Sequence, residues 1–239
     1  MKHPCKPTLL TAICAAAGLL CLGARIWLFT TGIDEKGLLL SAHPGNALSI
    51  ILVALTVAVS AILVFKEQTH YTLGRPVYGG LSLMLLAVGS ICAAWKLLQS
   101  PTQILYLVTG MMGLIAAALL VVYALALFQN RHGSVLLYAP CILFFLLLLL
   151  CRYQQWSPES ELQRYAFQLL AMVSFMLSLY HRMALAIQTG SSRRYLFFSR
   201  LALFFCIAAP AYGGHILFHG ALALCILLDD CQIHEDQAL

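Results

Sequence analysis

Seven long apolar blocks fix the solvent in which this chain folds. They cover residues 8–31, 46–65, 77–98, 104–128, 134–151, 164–188 and 201–228. An α-helix needs about 17 to 25 mostly apolar residues to cross a hydrocarbon core, where every backbone polar group must find its partner inside the protein. Most of the blocks have that length. At 62% hydrophobic and 10% charged residues, with a mean hydropathy of +0.88, the chain also carries more apolar surface than a soluble globule can hide. The pattern predicts an all-α fold, a polytopic transmembrane helix bundle of about seven spans, with the last span kinked or broken.

The connections are short and turn-like or charged, at 32–36, 66–68, 99–101, 130–133, 156–159 and 190–194. They leave no room for a soluble domain, so residues 1–239 read as a single integral membrane domain. The last block carries Pro210, Ala211, Tyr212, Gly213, Gly214 and His215 near its middle. Proline removes a backbone donor and two glycines loosen the helix, giving one kinked span or two short pieces. The kinked single span is the form expected. At the amino terminus, Lys2 and Lys6 precede an apolar run that has the look of a secretory signal. That run continues past Arg25 to Phe29, longer than a typical signal core, and a retained first helix is expected.

Orientation follows from the Lys and Arg count on alternate sides. With a cytoplasmic amino terminus the inner side holds nine basic residues and the outer side five, Arg25, Lys36, Lys96, Arg152 and Arg164. The acidic tail, Asp229, Asp230, Glu235 and Asp236, would then emerge outside as a solvated end. The chain has no Asn-x-Ser/Thr acceptor, which is compatible with a bacterial inner membrane, the expected location.

Helices in lipid associate through small residues and interhelical hydrogen bonds, so small and polar stripes mark buried faces. Such stripes are Thr11, Cys14, Gly18, Cys21 and Arg25 on the first helix, and Asn46, Ser49, Thr56 and Ser60 on the second. Ser82, Gly89, Ala93 and Lys96 form one on the third, and Tyr106, Gly110, Gly113 and Ala117 on the fourth. The fifth, from Cys141 to Cys151, has no polar side and is expected at the periphery. The sixth carries the best-defined stripe, Ser174, Ser178, His181, Arg182 and Gln188. It falls within about 120° at helical spacing.

Several function classes lose support. The basic residues form no cluster with interleaved aromatics, which speaks against a nucleic-acid partner. Neither GxSxG nor HExxH occurs and no carboxylate pair lies within the blocks, so no enzyme is expected and no catalytic residue is assigned. All nine acids sit in connections or at block ends, which argues against an ordinary carboxylate-based Na⁺ or H⁺ carrier. Of the nine cysteines, seven lie within apolar blocks and none forms CxxC, so they read as small buried or lipid-facing side chains.

What the blocks do contain is cationic or proton-binding: Arg25, His181, Arg182, His215 and His219. An ionisable residue at depth is a functional-site hypothesis. Arg182, six residues before Gln188, either snorkels to the interface or makes a structural contact, or else holds an anion. Arg25, near the outer end of its helix, reads as interfacial. His215 and His219 are spaced as metal- or haem-binding helices use, but without an accompanying acid they read as packing histidines beside the break. No cofactor and no metal are expected.

The leading reading is a transport or ligand-binding membrane protein for an anionic or polar neutral solute. Its candidate site residues are Arg182, His181, Ser178, Ser174, His215 and His219. A second reading is a non-transporting subunit or scaffold that binds another membrane protein through small-residue faces. A third is a haem- or quinone-linked redox protein, resting on the two histidines alone. The partners in view are membrane lipids, a small-molecule ligand, and in the second reading another membrane protein.

Overall fold

A computed structural model describes residues 7–33, 39, 43–66, 71–73, 76–99, 104–129, 135–156, 165–211 and 215–235. Within them run eight helices: α1 Pro7–Thr31, α2 Pro44–Lys66, α3 Pro76–Gln99, α4 Ile104–Phe128, α5 Ala139–Trp156, α6 Ala166–Ala186, α7 Ser192–Ala208 and α8 Ile216–Gln232. The first seven, two of them lengthened by a 3₁₀ turn, are long and apolar enough to cross a membrane, so this is a multi-pass membrane protein. The eighth has 17 residues. Its length, about 25 Å, is near the lower limit for a span. α1, α2 and α3 each open on a proline, whose fixed φ suits the first helical position and whose missing N–H is not needed there. The connections expected at 34–36, 67–68, 100–101, 130–133 and 157–159 lie outside the described residues. So do Asp34, Glu35, Glu67, Glu159, Glu161 and Asp236.

The last apolar block is broken outright. α7 ends at Ala208, a 3₁₀ turn over Ala209–Ala211 holds Pro210, and α8 begins at Ile216; Tyr212, Gly213 and Gly214 lie outside the described residues. In one continuous helix, positions 200 and 230 would be roughly 45 Å apart. Instead Arg200 Nη1 lies 2.6 Å from Asp230 Oδ1. α7 and α8 therefore form an antiparallel hairpin, which replaces the single kinked span. α7 also begins at Ser192, well before Leu201, because Arg193, Arg194 and Arg200 break the apolar run without breaking the helix.

Consecutive helices alternate in direction, and the hairpin brings the end of α8 back to the end of the bundle where α1 begins. This is the proximal end; the other is distal. Thr11 Oγ1 of α1 donates to Asp230 Oδ2 at 2.7 Å, so Asp229 and Asp230 return to the amino-terminal side instead of emerging opposite it. At the same end Tyr71–Leu73 (β1) pairs antiparallel with Ile233–Glu235 (β2), tying the α2–α3 connection to the chain after α8.

Contacts run α3 to α4, α4 to α5, α5 to α6, α6 to α7, α7 to α8 and α8 back to α3, a closed ring of six helices. α1 and α2 pack outside it along α7. The ring is filled by side chains. Phe145 of α5 meets Phe144, Phe175 of α6 and Phe218 of α8 with ring centroids 5.2–6.1 Å apart, and Leu83, Leu86, Leu120 and Leu203 are fully buried around them. Small residues admit this packing, since a Cβ on Gly113 would come 2.6 Å from the Phe144 ring and 2.8 Å from Ala94.

The predicted stripes of α1 to α4 are buried apart from Asn46 and Tyr106, which are half-buried, and Lys96, which is exposed. α5 departs from the expectation of a helix facing lipid on most sides. Cys141, Phe144, Phe145, Leu148 and Cys151 form a buried stripe against α4 and α6. With every residue of the run apolar, hydropathy alone could not show which side this was.

Candidate functional site

Charged residues gather at both ends of the bundle in opposite ways. At the proximal end two arginines each meet a carboxylate. Arg182 of α6, only 2% exposed, donates through Nη1 to Asp229 Oδ2 of α8 at 2.6 Å and to Ser82 Oγ of α3 at 3.0 Å. The Tyr195 hydroxyl of α7 donates to the same carboxylate oxygen at 3.4 Å, and the Tyr138 ring lies 5.6 Å from the guanidinium carbon. Arg200 of α7, 0% exposed, reaches both oxygens of Asp230 at 2.6 Å, and Thr11 supplies Asp230 with a further donor.

Burying such ions costs several kcal/mol each, so they persist at depth only when paired and hydrogen-bonded. Arg182 therefore does not snorkel. Its positive charge is matched by Asp229, which is 4% exposed and so no solvated tail residue. The two pairs join α6 to α8 and α7 to α8, closing the hairpin at its open end.

The distal end gathers the bases without acids. His215, just before α8, accepts a hydrogen bond at Nδ1 from Lys96 Nζ of α3 at 2.6 Å. Burial, with Arg152 and Lys96 adding to it, pushes His215 down to about 4, so its ring is neutral at physiological pH and fit to accept that bond. Arg152 of α5 lies 5.7 Å from the centroid of the Trp156 ring and donates to Gln155 Oε1 at 3.0 Å. His219, one turn into α8, is 3% exposed, and its Nδ1 has no hydrogen-bond partner among the described residues.

Arg152, Trp156, Gln168, His215 and His219 surround a cavity of roughly 20 Å³. That is room for about one water molecule. A wider groove of roughly 270 Å³ adjoins it between α3 and the start of α8, sharing Ala93, His215 and Phe218. Among the described residues no carboxylate pairs with Lys96 or Arg152.

The six candidates from sequence thus divide. Arg182 belongs to the proximal pairs, and Ser178 is buried on the same stripe of α6. Ser174 is turned back onto its own helix, bonding the carbonyls of Leu170 and Ala171. His181 is half-buried and stacked on Phe198 at 5.2 Å. His215 and His219 lie at the distal end; His219 and Asp229 are ten residues apart on α8, about 15 Å.

Arg25 departs from its interfacial reading. It is buried at 4% exposure, with its guanidinium 3.9 Å from the Phe167 ring centroid. The sequence reading missed Asp229, Asp230 and Arg200 at the proximal end, and Arg152, Gln168 and Trp156 at the distal end. Compared with protein-family models, with curated proteins and with solved structures, this chain matches none of them.

Proposed function

We propose that this is a ligand-binding membrane protein whose site takes an anionic group at the distal end. The observation that carries the reading is the convergence of Arg152, His215 and His219 around a small cavity, with Lys96 bonded to His215 where that cavity meets the wider groove, and no carboxylate among the described residues to balance them. Arg152 would supply the fixed charge and a planar donor fork, Lys96 a mobile ammonium, and His219 an N–H donor at its buried Nδ1, which has no partner among the described residues. Gln168 adds amide groups from α6. By the basic-residue count the proximal end faces the cytoplasm of a bacterial cell, which puts this site on the outer side of the inner membrane.

Binding is favoured over transport by what lies between the two ends. A carrier would have to open the Phe144, Phe145, Phe175 and Phe218 cluster and also separate both proximal ion pairs. Trp156 provides the test, since it lines the cavity beside Arg152. In a Trp27→Phe, Trp95→Phe background, inorganic phosphate is expected to change its fluorescence saturably, and Arg152→Ala to abolish the change. A linear response, or an equal one in the Arg152→Ala protein, would remove the distal site from consideration.

A further inference from the structure

The groove beside the basic cluster says more about the ligand than charge does. It runs between α3 and the first turn of α8, walled by Cys92, Ala93, Ile216, Leu217 and Phe218, and Lys96 and His215 line it too. Its wall is almost entirely apolar, yet it is open to the side: Leu217 is 80% exposed, and Cys92 and Ile216 are also exposed. A free metabolite has no use for such a wall. An acyl chain does.

The height of the groove agrees. Trp27, Trp95 and Tyr153 are exposed near the distal ends of α1, α3 and α5, the level at which aromatic rings sit between headgroups and hydrocarbon. Lys96 is one residue from Trp95 on the same turn, so its ammonium is at headgroup height with the groove beside it. Basic pockets between transmembrane helices receive anionic headgroups on the cytoplasmic or matrix side, and the same charge chemistry serves an anionic headgroup on the outer side. Here the pocket is completed by Arg152 and by the buried Nδ1 of His219, which has no hydrogen-bond partner among the described residues.

We infer that the distal site holds an anionic lipid, its headgroup against Lys96, His215 and Arg152 and one acyl chain along the groove between α3 and α8. This rests on the anion-binding reading above and adds the chain. The lipid's negative charge supplies the counterion that the described residues lack, and its chain covers Leu217 and Ile216. A zwitterionic lipid offers the same chain but brings a positive charge next to Lys96 and Arg152.

The test is thermal unfolding of the purified protein in a neutral detergent, titrated with glycerophosphate, didecanoyl phosphatidylglycerol or didecanoyl phosphatidylcholine. Phosphatidylglycerol is expected to stabilise at a concentration at least about tenfold below glycerophosphate, because buried methylenes add to the charge term. Phosphatidylcholine is expected to give no specific shift. Cys92→Trp and, separately, Leu217→Trp fill the groove from opposite walls at exposed positions. Each should bring phosphatidylglycerol to within about threefold of glycerophosphate while leaving glycerophosphate binding intact.

Equal potency of glycerophosphate and phosphatidylglycerol in wild type would overturn the lipid assignment and leave the anion site standing. Equal shifts with phosphatidylcholine and phosphatidylglycerol would overturn it as well, marking a chain groove without headgroup selection. No shift with glycerophosphate or with phosphatidylglycerol would remove both readings together.

Discussion

The two ends of the bundle spend their basic residues differently. At the proximal end Arg182 and Arg200 each meet an aspartate at 2.6 Å, with Ser82, Tyr195 and Thr11 filling further bonds. At the distal end Lys96, Arg152, His215 and His219 come together with no carboxylate among the described residues. A buried charge that is already compensated is a joint. Bases without a carboxylate partner are, in the reading proposed above, the place where an anion from outside the chain would bind. The proposed site therefore centres on His215, His219 and the bases around them, not on the arginine of α6.

The comparison breaks most readily at the proximal end. Asp229→Ala strands Arg182 in the interior and is expected to cost about 3 to 5 kcal/mol, read as a drop in unfolding temperature. Replacing both partners, Arg182→Met with Asp229→Leu, should recover most of that loss, because no charge is left buried. If the double variant is as unstable as the single, the pair has a role beyond mutual neutralisation.

Supplying the missing acid at the distal end should make it resemble the proximal one. Gln168→Glu places a carboxylate on the cavity wall beside Arg152, and phosphate affinity is expected to fall at least about tenfold with the fold intact. Unchanged affinity would mean that phosphate does not sit among these bases. Arg152→Ala should abolish the phosphate response while altering stability by only about 1 kcal/mol, since Arg152 is half-buried and closes no ion pair among the described residues.

The smallest effect expected is on pH. His215 is held down at about 4 by burial and by Arg152 and Lys96, with His219 also near it on α8. Between about pH 6.5 and that value the unfolded chain binds the proton more readily than the folded one, so the free protein loses stability as pH falls. A bound phosphodiester, which does not titrate in this range, offsets the neighbouring cations and lifts His215. Affinity for phosphatidylglycerol should therefore rise a few-fold from about pH 7.5 to about pH 5.5, and a flat profile would detach His215 from the site.

Much of the fold was legible because lipid imposes one requirement on every span. α1 to α6 stand out as long apolar runs, and the small-residue stripes of α1 to α4 point largely into the protein. α7 was legible only in its second half, since Arg193, Arg194 and Arg200 look like a connection until Asp230 is seen opposite Arg200. The hairpin was signalled by Pro210, but proline alone does not tell a kink from a reversal. That is decided by which partners the far end of α8 finds, and hydropathy carries no information about pairing.

The candidate site was half visible for the same reason. His215 and His219 announced themselves by spacing, and Arg182 by its depth. Asp229 and Asp230 sit at the end of an apolar block, where a solvated tail is the ordinary outcome. Arg152 closes a block with no polar stripe to draw attention to it. The count of arginines within or beside the blocks was the one available hint that carboxylates had to be found for some of them.

The most direct test compares the two ends in one titration: inorganic phosphate against unfolding temperature for wild type, Arg152→Ala and the Arg182→Met, Asp229→Leu double variant. Phosphate should stabilise wild type and the double variant alike and leave Arg152→Ala unmoved. Stabilisation that survives in Arg152→Ala and vanishes in the double variant would place the anion at Arg182 and contradict the assignment of the distal end.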